Sequence, residues 1–93
     1  MLALPVTLTQ GEASSCLQTL LHGLASETST QVVVVGTALQ RFDSSALAVL
    51  LELRRQCAAV GKQLTVSGLP KRLSELAVLY GVAELVPHNP ATA

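Results

Sequence analysis

The sequence predicts an α/β fold in which strands and helices alternate as β-α-β-α-β-α, giving a small mixed or parallel sheet with flanking helices. Three observations predict it. Val32-Val33-Val34-Val35 is an unbroken β-branched run, the composition of a central strand covered on both faces. Two longer segments, Ala13 to Leu24 and Ala46 to Val60, repeat apolar residues at the helical period. Strand-like and helix-like segments alternate along the chain, a pattern that gives parallel neighbours joined by right-handed crossovers.

Each element has its own signal. Leu4 to Thr9 alternates Val6 and Leu8 with Thr7 and Thr9, a short strand. Thr9 and Glu12 then have capping-box spacing, which starts a helix at Thr9. That helix places Ala13, Leu17, Leu20, Leu21 and Leu24 on one face, and the polar stretch Ser26 to Thr30 is a loop. After the valine run, Gly36 to Phe42 leads into Asp43-Ser44-Ser45, a helix start. This second helix runs to about Val60 and stops at Gly61. Gln63 to Ser67 reads as a strand. Pro70 fits the first turn of a third helix, with Leu73, Leu76, Ala77 and Tyr80 on one face and Gly81 at its end. A short apolar piece, Glu84 to Val86, follows, and the tail from His88 to Ala93 reads as frayed.

The chain has 93 residues, the length of one domain over 1–93, with a core at about 5–86 and a tail at 87–93. A chain this short buries roughly 60–65% of its unfolded surface and leaves little room for a deep substrate cleft. Its formal net charge is zero and its pI about 6.7, which argues against nucleic acid and against a polybasic membrane-binding patch. Charged residues make up only 13% of the chain and mean hydropathy is +0.50. Average domains are about 25% charged, so the apolar excess reads either as an Ala/Leu/Val-rich core or as apolar surface that waits for a partner. The longest apolar run, Ala46 to Leu51, is far short of the ~18 residues of a span. No positive charge precedes the apolar start of the chain, so it does not read as a secretory signal, and the expectation is a cytoplasmic protein. Cys16 and Cys57 sit at apolar helix positions without CxxC spacing and read as small buried hydrophobes. With His22 and His88 they do not make a metal site, and no cofactor motif is present, so neither metal nor cofactor is expected.

No nucleophile, base and orienter can be assembled, so the expectation is a binding protein and not an enzyme. The informative segment is Arg41 to Leu47. On a wheel at 100° per residue, Ala46, Val49, Leu50, Leu53, Cys57 and Val60 form the core arc of the second helix. Leu47, Leu51 and Ala58 form a second apolar arc. Ser44 borders it near Arg55, and Arg54 lies between the two arcs. Either another element covers this second arc or a partner does. Asp43, Ser44, Ser45, Leu47, Leu51, Arg54 and Arg55 are therefore the candidate docking residues. Asp43 and Ser44 both suit capping of the first turn. Ser44 also suits a phosphorylation switch, with the phosphate at the positive end of the helix beside an apolar docking face.

These residues resemble the signature of the STAS domain family. The family motif, an Asp, a Ser or Thr, a small residue, Gly or Ala, and Leu at a helix start, stands here as Asp43-Ser44-Ser45-Ala46-Leu47. The downstream stretch from Gly61 to Pro70, then Leu73, Leu76 and Leu79-Tyr80-Gly81-Val82, is in register with it. The resemblance spans about Pro5 to Val86. The third-helix residues are similar to the MlaB-type branch, the STAS subunits of an ABC transporter that moves phospholipid between two membranes and maintains outer-membrane lipid asymmetry. That implies a partner, the ABC ATPase subunit (MlaF-like), and through it the permease. It also implies a place beside the inner membrane without insertion into it. The family's hydroxyl position maps onto Ser44 and its docking helix onto the helix after Asp43. The other large branch, the anti-sigma factor antagonists, implies instead a serine kinase as partner and Ser44 as its phosphoacceptor. Many relatives begin with an extra strand for which this chain starts late. The exposed edge that results favours pairing with another chain, a homodimer among the alternatives.

Overall fold

In the computed structural model the described residues are 2–86 and, for the backbone alone, 88–89. The elements are β1 (Leu2–Ala3), β2 (Thr7–Leu8), α1 (Gln10–Ala25), β3 (Gln31–Val35), β4 (Arg41–Phe42), α2 (Ser44–Ala59), β5 (Gln63–Ser67), α3 (Lys71–Leu79), a 3-10 turn (Ala83–Leu85) and β6 (His88–Asn89). Four strands form one sheet in the order β1-β3-β5-β6, and β2 and β4 form a separate pair. Every pairing is parallel. The architecture is the mixed α/β arrangement expected of a STAS-like fold.

The strand expected over Leu4 to Thr9 is instead two pieces divided by Pro5. Leu4 N–H makes the last bond to the sheet, on Val35 O at 2.8 Å. Pro5 has no N–H to continue that ladder. The chain then shifts to β4, where Val6 O accepts from Gln40 N and Arg41 N. Leu2 and Ala3 nonetheless form β1, which pairs Leu2 with Val34 and Ala3 with Val35 at the sheet edge.

The valine run is central, between β1 and β5, but it is not covered on both faces. Val32 and Val34 are buried while Val33 and Val35 are half-exposed, and Leu64 and Val66 alternate with Thr65 and Ser67 in the same way. One sheet face carries the helices; the other carries Val33, Val35, Thr65 and Ser67, with Gln31 Nε2 donating to Gln63 Oε1 at 3.0 Å at its end. A β-branched run can serve such a face as well as a doubly buried one, because its propensity reflects fit to a pleated surface.

Between sheet and helices lies one core of Leu4, Leu8, Leu20, Leu24, Val32, Val34, Leu50, Leu53, Cys57, Leu64, Val66, Leu73 and their neighbours. α1 packs along α2 and supplies Leu20 and Leu24 fully, with Ala13, Leu17 and Leu21 at its margin. Its capping box forms through Glu12, whose carboxylate accepts from Thr9 N–H at 3.0 Å and Thr9 Oγ1 at 2.5 Å. α2 ends before Gly61, which takes a positive φ of 75°. Val60, expected on the core arc, caps the helix and is 60% exposed. Pro70 is the N-cap of α3, one position earlier than expected. Leu73 and Ala77 of that helix are buried, but Tyr80 is not on the core face. His88 and Asn89, expected to be frayed, pair with Val66 and Ser67. The rest of that tail, 90–93, lies outside the described residues.

Candidate docking surface

The β2–β4 pair aligns two chain segments that both run directly into helices. β2 leads into α1 and β4 into α2, so the two helix starts lie side by side. Asp43 joins them. Its Oδ1 accepts from Ser45 N–H at 2.8 Å, capping α2, and its Oδ2 accepts from Gln10 N–H at 3.2 Å, in the first turn of α1. These N–H groups, with the Ser45 bond foremost, hold the Asp43 carboxyl below its usual range. Glu12 is lowered as well, first by the Thr9 hydroxyl.

Ser44 is exposed on the first turn of α2, and Ser45 is half-buried behind it. Leu47 corrects the sequence reading: it is 3% exposed and belongs to the core, so it is no docking contact. The helix surface open to solvent is instead the row Ser44, Ala48, Leu51 and Arg55, at spacings of four, three and four. Leu51 is half-buried, with one side packed against the core. Arg55 is folded onto Glu52, with Nε on Oε1 at 3.0 Å and Nη2 on Oε2 at 2.6 Å. Gln56 Nε2 donates to the same carboxylate at 2.8 Å.

Arg54 is not part of this row. It lines a separate cleft with Ala58, Lys62, Gln63, Leu64 and Thr65. The structure thus brings together Asp43, Ser44 and Ser45, extends them through Leu51 to Arg55, and sets Arg54 apart.

A second apolar surface adjoins the first and was not anticipated. Phe42, immediately before the Asp43-Ser44 motif, lines a groove of about 210 Å³ with Arg72, Glu75, Leu76 and Leu79 of α3. Leu79 itself is 76% exposed, and its sequence neighbours Val78 and Tyr80 are 68% and 55% exposed. These are large side chains to leave in water on so small a protein. The sequence signal was present in the run Ala77-Val78-Leu79-Tyr80. A nine-residue amphipathic helix buries only one stripe of such a run. Reading Tyr80 into that stripe concealed the surplus.

Among the described residues no three His, Cys, Asp or Glu side chains come together in a metal-binding arrangement. Burial raises the thiols of Cys16 and Cys57 above their usual range; Cys57 is buried in the core as expected, whereas Cys16 is only half-buried at its margin. No helix among the described residues is long and apolar enough to cross a membrane.

Comparison with known proteins agrees with the motif. A family model described as "Mlab, STAS domain" matches residues 1–87. No curated protein matches the chain. The matched region takes in both helix starts, the α2 row and the α3 ledge, and the chain belongs to the MlaB-like STAS domain family.

Proposed function

We propose that this chain is the STAS subunit of a phospholipid-moving ABC transporter, docking on its ATPase and promoting the assembly and activity of the complex. The observation that carries this reading is the pair of adjoining surfaces joined at Phe42. One is the row from Ser44 to Arg55; the other is the groove lined by Phe42, Leu76 and the largely exposed Leu79. An apolar groove of Phe42, Leu76 and Leu79 bordered by Arg72 and Glu75 suits a protein partner with a matching apolar face. Docking of this kind places the chain beside the inner membrane through its partner and the permease, with no element of its own inserted. A free lipid carrier is less favoured. The clefts beside Pro5, Leu21 and Arg54 hold about 290, 370 and 390 Å³, which is small for a two-chain lipid.

The second reading, an anti-sigma factor antagonist phosphorylated on Ser44, is favoured by the exposure of that hydroxyl. The Asp43 cap on the Ser45 amide belongs to the motif that both branches share and does not separate the two readings. Co-expression of the tagged chain with the ATPase and permease of the same transporter distinguishes the two. Co-purification of the whole complex supports the transporter reading. If the ATPase never co-purifies, and a serine kinase of the sigma-regulating class labels Ser44, the second reading replaces it.

A further inference from the structure

Asp43 belongs to the motif read as a docking signature, yet both of its carboxylate oxygens are engaged within the chain. Oδ1 holds the Ser45 amide, two residues on; Oδ2 holds the Gln10 amide, 33 residues back on another helix. An ordinary N-cap needs only the first bond. The second is a tie between helices, made where β2 and β4 have already brought the two helix starts together. A carboxylate can accept at both oxygens, whereas a Ser, Thr or Asn cap offers one side-chain acceptor atom. Both helix dipoles present their positive ends to this one negative group. Ser44, between the cap and the Ser45 amide, has its backbone held from both sides. We propose that Asp43 is the positioning residue of the docking surface, tying the start of α1 to the start of α2 and so fixing where Ser44 is presented.

This role rests on the docking reading above, and it is distinct from contact with the partner. Glu12 provides the control: its capping box bonds only Thr9, and Glu12→Gln removes its charge near Asp43 while a Gln oxygen keeps that box. The test combines amide hydrogen exchange on the chain alone with calorimetric titration of the ATPase subunit of the same transporter. In Asp43→Asn the side-chain oxygen still caps Ser45 and the amide nitrogen cannot accept from Gln10. Exchange is expected to speed at Gln10 and stay slow at Ser45. In Asp43→Ala both amides are expected to exchange faster. ATPase affinity is expected to fall by about tenfold in either variant, the scale of coupling between neighbouring groups. In a Ser44→Ala background the same Asp43 substitutions are expected to add little, because Asp43 acts through Ser44. Glu12→Gln is expected to leave exchange at Gln10 and affinity unchanged. Unchanged exchange at Gln10, unchanged affinity in Asp43→Asn, or full additivity with Ser44→Ala would each overturn the proposal. If the native chain does not bind the ATPase at all, the docking reading fails and the role falls with it. If the native chain binds and the Asp43 variants bind equally, the positioning role alone fails.

Discussion

Leu47 and Ala48 are neighbours in sequence with opposite fates, and they show how finely the docking surface is divided from the core. Leu47 is 3% exposed; Ala48 is exposed in the row with Ser44 and Leu51. Leu47→Ala is expected to cost about 2–5 kcal/mol in a denaturant titration, the range for buried leucines. Ala48→Glu is expected to leave the unfolding midpoint nearly unchanged, within the ~0.5 kcal/mol of ordinary surface changes. The acid-side behaviour also belongs to single residues. Glu12 and Asp43 both have folded-state pKa values below their ordinary 4.5 and 3.8. Their contribution to stability is therefore fully present above those ordinary values. It is lost as pH falls through them towards the folded-state values. Acid unfolding followed by circular dichroism is expected to shift to a lower midpoint concentration of acid in Asp43→Asn, with a smaller difference remaining at pH 2 than at pH 6. The hydrogen-bonded form of Asp43 was half legible in the sequence. An Asp before Ser-Ser signals a cap, but a bond to Gln10 depends on the β2–β4 pairing, which no local pattern announces.

Among the elements, the helices were the most legible and the strand ends the least. Thr9 with Glu12, Asp43 with Ser45, and the glycines after α2 and α3 mark helix boundaries through local hydrogen bonding and backbone conformation, which are written in neighbouring residues. Pro5 splits the first strand because the missing N–H ends one ladder, and the choice of β4 as the next partner is a tertiary matter. Leu47 was misplaced for a related reason: the wheel gives two apolar arcs on α2, and only the positions of the other elements decide which arc is covered. At the end of α3, Gly81 has a φ of 72° and open space where a Cβ would lie. Gly81→Ala therefore meets no clash and carries only the conformational penalty of the left-handed region, about 1–2 kcal/mol in a thermal or denaturant melt. A loss far outside that range would mean that the turn does more than end the helix.

Across the whole molecule, the helices gather on one sheet face and the starts of α1 and α2 meet at Asp43. The α3 ledge lies alongside. This arrangement accounts for the low charge fraction of the chain without requiring a lipid pocket: the surplus of apolar side chains is displayed, not enclosed. It also predicts a separation between folding and binding, because Ala48 and Leu79 are dispensable to the core while the buried side of α2 is not. The most direct measurement is calorimetric titration of the transporter's ATPase subunit with the native chain, Ala48→Glu and Leu79→Asp, each first shown to melt like the native protein. Saturable binding by the native chain, with affinity lost in both variants, is the predicted result. Native-like affinity in both folded variants would contradict the docking surface drawn here, and so would a native chain that does not bind the ATPase.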